Sequence, residues 1–175
     1  MDDNWHTDDL NLQDRSRPIT AIHLVAFSPW ETAHSTFPPR EVNDWYLFLE
    51  LDNQTWIRLD VVPGLGDDEL RCKIRLVSAD RSYPPTVVHK RTSTVNGTMT
   101  LENLVETTHR NDRQKYKVTN VGEGRRHWYS TFIQDLEKGN VISANERPVH
   151  FEMSWFFMDK NACAASPIIE GTFLT

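Results

Sequence analysis

The sequence predicts an α+β domain in which an antiparallel β-meander packs against two or three helices. Three observations carry that expectation. Between residues 19 and 78 the apolar residues fall in β-prone runs, several alternating at a period of two. Turn-forming clusters such as Asp52-Asn53-Gln54 and Pro63-Gly64-Leu65-Gly66 separate those runs. In the second half, residues 101–108 and 122–137 repeat apolar side chains at helical spacing instead.

The first strong element is ITAIHLVAF, residues 19–27, a nearly continuous apolar run that reads as a buried strand. SPWETAHSTFPPREVND (28–44) reads as a long loop, and loops of that length in compact domains are commonly functional. WYLFLEL (45–51) and TWIRLDVV (55–62) flank a hairpin turn. In the second of them Trp56, Arg58 and Asp60 share one face, and Ile57, Leu59 and Val61 the other. LRCKIRLVS (70–78) sets Leu70, Cys72, Ile74 and Leu76 against a basic stripe of Arg71, Lys73 and Arg75, the solvated side of an antiparallel strand. TVVHKR (86–91) reads as a further strand after Pro84-Pro85. Leu101, Leu104, Val105 and Thr108 follow i, i+3, i+4, i+7 behind the N-cap Thr100, which predicts a short helix. YKVTNV (116–121) is strand-like, and Trp128, Tyr129, Phe132, Ile133 and Leu136 form the stripe of a longer helix closed by Gly139. VHFEMSWFFM (149–158) fits both periods equally, so its type stays open.

The 175 residues suffice for one domain burying about two-thirds of its unfolded surface. The net charge of −6 is uneven. Asp2, Asp3, Asp8, Asp9 and Asp14 meet no Lys or Arg in residues 1–14, leaving 19 basic against 20 acidic residues in the rest. Residues 1–17 therefore read as an acidic flexible tail and 18–175 as a single domain. A nearly neutral body excludes the basic footprint of a nucleic-acid binder. No apolar run approaches the length of a membrane span, no basic-then-apolar leader is seen, and two cysteines are too few for a disulfide framework, so a cytoplasmic protein is expected. Homo-oligomerisation is left open.

Chemistry is constrained mainly by what is missing. GxGxxG, GxxxxGK[ST], HExxH and GxSxG do not occur. The seven histidines, at 6, 23, 34, 89, 109, 127 and 150, offer no pair at metal-ligand spacing, so neither a metal nor a cofactor is expected. His23 reads as a hydrogen-bonded core histidine and His127 as a surface one. Neither Cys72 nor Cys163 sits at an electropositive helix start. Aromatic residues instead gather near sequence breaks: Trp30 and Phe37, Trp45 and Tyr46, Trp128 and Tyr129, and Trp155 with its neighbours. They fill a core and its rim, or they line an apolar pocket whose polar lip is drawn from Arg58, Asp60, Asp44, Arg125 and Arg126. Both readings stand on the residues alone.

The order DWYLFLEL, WIRLDVVPGLG, TLENLVETTHRN, YKVTNVGEGRRHWYSTFIQDLEKG and IIEGTFL resembles a family of small fungal proteins of unknown function, over roughly residues 20–174. That family's pattern has a strand opening with His-Trp, an R-L-D-x-x-P-G strand, and G-E-G-C-R-[FY]-W running into a helix that ends D-L-E. The arrangement also looks like the circularly permuted papain-like architecture, in which a strand-borne His precedes a helix-start Cys. Here Asp44 stands at the His position and Arg125 at the Cys position. Arginine is not a nucleophile, so the resemblance implies a retained frame whose thiol chemistry is lost.

The chain is further similar in size and character to small cofactor-free fungal Diels–Alderases that close a norbornene in terpenoid biosynthesis. That similarity implies a cyclase acting on a small apolar molecule, terpenoid or polyketide-like, with no nucleic acid and no membrane partner. Trp45, Tyr46, Trp128, Tyr129 and Trp155 would then shape its pocket. Arg58, Arg125 or Arg126 would hold a carboxylate or aldehyde oxygen, and Asp44 or Asp60 would orient the arginine. The alternative it leaves is a catalytically inactive papain-like module that binds a small apolar ligand or a protein partner.

Overall fold

A computed structural model describes residues 3–28, 43–52, 54–64, 70–80, 82–83 and 86–174. The expected loop over 28–44, with Trp30 and Phe37, lies outside them except at its ends, as do the Pro84-Pro85 break and the Leu65-Gly66 dipeptide.

The chain forms an α+β fold on a six-stranded mixed sheet ordered β1-β5-β4-β3-β2-β6. The expected meander is its centre: β2 (Ile19–Phe27), β3 (Asp44–Leu51), β4 (Trp56–Pro63) and β5 (Cys72–Ala79) pair antiparallel in succession. β6 (Val87–Thr94) returns to pair antiparallel with the far side of β2. The sheet is mixed because β1 (Trp5–His6) runs parallel to β5, with Trp5 opposite Ile74. Residues 3–17, expected as a flexible tail, are thus laid on the domain. Trp5 and Leu10 reach the main core, and buried Asp14 accepts from Ser78 Oγ at 2.6 Å. Charge counting missed this because the few apolar residues among the acids are the ones that dock.

Three helices follow. α1 (Leu101–Arg110) starts on a reciprocal cap, in which Thr100 N–H donates to Asn103 Oδ1 at 3.0 Å and Asn103 N–H donates to Thr100 Oγ1 at 3.3 Å. α2 (Arg125–Lys138) buries Trp128, Tyr129, Phe132, Ile133 and Leu136, the stripe read from its spacing. The segment that fitted two periods is both elements in turn: α3 (Val149–Met153) and then β8 (Trp155–Phe157), which pairs with β9 (Cys163–Ala165). A last small ribbon joins β7 (Tyr116–Lys117) to β10 (Thr172–Phe173).

Strand alternation gives the sheet two unlike faces. One carries Leu24, Leu47, Leu49, Ile57, Leu59 and Ile74 into the main core together with the α2 stripe. The other holds a separate cluster of Val25, Phe27 and Phe48, with Tyr46, Trp56, Tyr83 and Val87 packed around it.

Candidate functional site

The site is built where two neighbouring strands part. β3 and β4 pair from Leu47 opposite Leu59 to Glu50 opposite Trp56. Both strands run on, β3 back to Asp44 and β4 forward to Pro63, but the pairing does not. Past the last pair the Val61 N–H donates instead to the Tyr129 hydroxyl from α2 at 3.1 Å, so a buried backbone donor is satisfied by a phenol where a strand would otherwise stand. The first turn of α2 stands at this fork.

Two carboxylate–guanidinium pairs occupy it. Arg125 Nη2 donates to Asp44 Oδ1 at 3.2 Å, joining the helix start to the strand start. Arg58 Nε donates to Asp60 Oδ2 at 3.0 Å, with Arg75 Nε at 3.9 Å from the same oxygen. The Arg58 guanidinium also lies 5.6 Å from the centre of the Tyr46 ring, a cation–π distance. Asp60 is buried, its side chain only 6% exposed, and its Oδ1 has no hydrogen-bond partner among the described residues. Burial pushes its carboxyl above the usual carboxylate range, against the pull of Arg58 and Arg75. The Tyr46 phenol is likewise raised by burial first and then by Asp44 and Asp60, while Arg125 and Arg58 oppose them. All four charges therefore act on one hydroxyl. Guanidinium groups held by carboxylates beside a phenol can bind and polarise an oxyanion or carbonyl oxygen; they supply no nucleophile. The buried thiol nearby, Cys72, is pushed up to about 11 by its burial and stays a thiol at neutral pH. Among the described residues no group of three or more His, Cys, Asp and Glu is placed to hold a metal ion.

The structure brings together Arg58, Asp60, Asp44, Arg125 and Tyr46 from the residues the sequence singled out. Trp128 and Tyr129 are fully buried: Trp128 stacks on Phe132 at 4.8 Å and donates its indole N–H to Arg113 O at 2.6 Å. Trp45 is also in the core, edge-on to His89 and Phe157, with an indole N–H that has no partner among the described residues. Arg126 turns its donors elsewhere, to the carbonyls of Met153 at 2.8 Å, Ser166 at 2.7 Å and Pro167 at 2.8 Å, and so clamps α3 and the C-terminal segment to α2. Trp155 is half-buried against Phe151.

Sequence reasoning passed over Arg75, read as part of a solvated stripe, and over the device that sets the start of α2. The buried Tyr116 hydroxyl donates to Gly124 O at 2.8 Å and accepts from Gly171 N–H at 2.9 Å. The same oxygen lies 3.2 Å from His127 Nδ1, so His127, expected on the surface, is half-buried. Two Glu-Gly dipeptides far apart in the chain, at 123–124 and 170–171, were the available signal.

The burial of two histidines is expected to make the fold acid-sensitive. Burial lowers His23 against the hydrogen bond and charge of Glu50, and burial lowers His127 against the charge of Glu170. A base whose folded pKa lies below its unfolded 6.5 binds fewer protons folded than unfolded. Their contribution is therefore present above pH 6.5 and is lost as pH falls from there through the lowered values. Urea midpoints between pH 7.5 and 5.5 are expected to fall, and the fall to be shallower in His23→Gln/His127→Gln. An equal slope in the double variant would show that other groups carry it.

A family model, "Domain of unknown function (DUF7770)", matches residues 22–174. No curated protein and no solved structure matches the chain. No helix among the described residues is long and apolar enough to cross a membrane.

Proposed function

This chain belongs to the DUF7770 family, and from the fork that its residues form we propose a cytoplasmic, cofactor-free cyclase that isomerises a small apolar polyene or terpenoid bearing an aldehyde or carboxylate. The observation that carries the reading is the pairing of each candidate arginine with its own carboxylate, Arg58 with Asp60 and Arg125 with Asp44, around Tyr46. Held in this way, a guanidinium meets a carbonyl or carboxylate oxygen without first losing rotamer freedom. The aromatic cluster of Phe27, Tyr46, Phe48 and Trp56 on the same face offers an apolar bed for a carbon skeleton in a near-attack conformer. Such a reaction needs folding and polarisation of the substrate and no nucleophile.

The test is incubation of the purified protein, without added cofactor, with extract of its host strain deleted for this gene, read by LC–MS. A product of unchanged mass should appear faster than with boiled protein, and Arg125→Ala should lower the rate about 10-fold or more. The Arg125–Asp44 pair is 38% and 30% exposed, so its loss should cost the fold no more than about 1 kcal/mol and rate can be read apart from stability. Absence of any isomer of unchanged mass would overturn the cyclase.

A second reading, an inactive papain-like binding module, is favoured by one observation. The Arg125–Asp44 ion pair joins the two positions at which the resemblance places a Cys and its His. A compound that co-purifies chemically unaltered, and is lost in Arg125→Ala, would support it over the first.

A further inference from the structure

On the aromatic face of the sheet, beside the fork and with His23 in the register row of Arg58, three polar side chains from three strands form a hydrogen-bonded chain. His23 in β2 stands opposite Phe48 in β3 and Thr92 in β6. Its Nε2 is 3.1 Å from Glu50 Oε2 and its Nδ1 is 3.0 Å from Thr92 Oγ1. A carboxylate only accepts, so Nε2 carries the ring proton and donates to Glu50. In the neutral ring Nδ1 is then the acceptor, and the Thr92 hydroxyl must be the donor. His23 is held neutral by its burial. A hydroxyl, a neutral base that accepts its proton, and a carboxylate orienting that base are the parts of an activated nucleophile.

The surroundings suit a particular substrate. The His23 side chain is 7% exposed whereas Thr92 is exposed, so the base is shielded and the hydroxyl can be approached. The rings of Trp56 and Tyr83 lie 5.1 and 5.9 Å from the imidazole. Those rings touch one another at 6.0 Å, which leaves no slot between them for a cation and makes them a wall for an apolar group. Lys90, two residues before Thr92 on the same side of β6, holds its ammonium 5.6 Å from the Tyr83 ring centre. Its charge is felt at His23, and it can meet negative charge developing on a carbonyl oxygen.

We infer that Thr92, His23 and Glu50 form an acyl-transfer site, beside the fork on the same face of the sheet, that hydrolyses esters of small apolar acids. In the first step Thr92 Oγ attacks the ester carbonyl carbon and its proton passes to His23 Nδ1. The C–O bond to the alcohol breaks, and that alcohol leaves with the proton from His23. Water then attacks the acyl-threonine and gives its proton to His23 Nδ1, which returns it to Thr92 Oγ as the acid departs. Ester and water become acid and alcohol, with no redox partner. Lys90 stabilises the oxyanion in both halves, and Glu50 keeps the imidazole in the one tautomer that can accept from Thr92.

The test uses the full chain with p-nitrophenyl acetate and butyrate, following nitrophenolate release and mapping the acyl group by mass spectrometry of peptides. An acetyl group on Thr92 is expected. Release should drop about 100-fold, to the level of buffer, in His23→Gln and in Thr92→Val, a β-branched replacement suited to an exposed strand. Thr92→Ser should restore it, which a purely structural hydroxyl would not require. Glu50→Gln should slow turnover while leaving the far-UV circular dichroism unchanged. Wild-type release in Thr92→Val, or acetyl groups found on Lys90 or Cys163 but not on Thr92, would overturn the assignment.

Discussion

Arg91→Ala is expected to destabilise the domain by about 3–5 kcal/mol, a large share of the roughly 5–15 kcal/mol that holds a typical domain folded. Arg91 lies in the edge strand β6, opposite Leu24, and its side chain, 3% exposed, enters the core side of the sheet. It donates from Nη2 to Glu137 Oε1 of α2 at 2.6 Å, and from Nη1 to Glu152 Oε1 of α3 at 2.9 Å and to Arg147 O at 2.7 Å. One guanidinium thus fastens two helices to the sheet. Truncation leaves two carboxylates, 16% and 13% exposed, without their counter-charge, and that uncompensated burial is the source of the cost.

Two further measurements separate this cause from lost packing. In urea unfolding, Arg91→Met combined with Glu137→Gln and Glu152→Gln should lose less than Arg91→Ala alone, because no unpaired charge is left behind. The pH dependence carries the same signature. Burial, the largest influence on Glu152, pushes its carboxyl up, but the hydrogen bonds and charges of His89 and Arg91 together outweigh it and hold the group below 4.5. A carboxyl depressed on folding contributes stability above its unfolded pKa of 4.5 and loses it as pH falls through the folded value. Arg91→Ala should weaken that dependence. A cost under about 1 kcal/mol at pH 7 would mean that the two helices are held without the arginine.

Gly171→Ala is expected to cost about 3 kcal/mol or more through overpacking. A Cβ there would meet the Tyr116 hydroxyl and the Lys117 carbonyl, and the carbonyl is backbone of the paired strand β7. Tyr116→Phe added to Gly171→Ala should recover only part of the loss, since it removes the hydroxyl and leaves the carbonyl in place. Gly97→Ala is the control: its φ of +72° strains any side chain, but nothing lies within 4 Å. It should cost only about 1 kcal/mol, through backbone strain. Equal midpoint shifts for the two variants would show that the ribbon yields freely. Gly124 carries both penalties, with φ at +129° and a Cβ that would fall 2.9 Å from the Tyr116 hydroxyl. The start of α2, and with it Arg125, is placed by glycine backbone and a tyrosine hydroxyl, because the Gly124 N-cap has no side chain to offer.

Much of this architecture was legible in the residues. Alternation along 70–78 assigned Cys72, Ile74 and Leu76 to the core, and the helical stripe from Trp128 to Leu136 is buried as its spacing required. These readings hold because burial of a periodic apolar face is a local property: the same side chains must go inside whatever they meet there. The pairings of Arg58 with Asp60 and Arg125 with Asp44 were foreseeable only in part. Arg58 and Asp60 are two apart in one strand and so share a face, whereas Asp44 and Arg125 are separated by 81 positions.

The sequence by itself determined which faces are apolar, where the meander turns, and that the start of α2 carries an arginine and no thiol. Only the tertiary structure decided that Trp45 belongs to the core, that the acidic N-terminal segment docks as a parallel strand, and that β3 and β4 part where Tyr129 caps Val61. It also decided that His23 meets both Glu50 and Thr92 across three strands. The physical reason is shared. An aromatic or polar side chain has no periodicity of its own that names its partner, and the register between distant strands is set by the packing of the whole sheet.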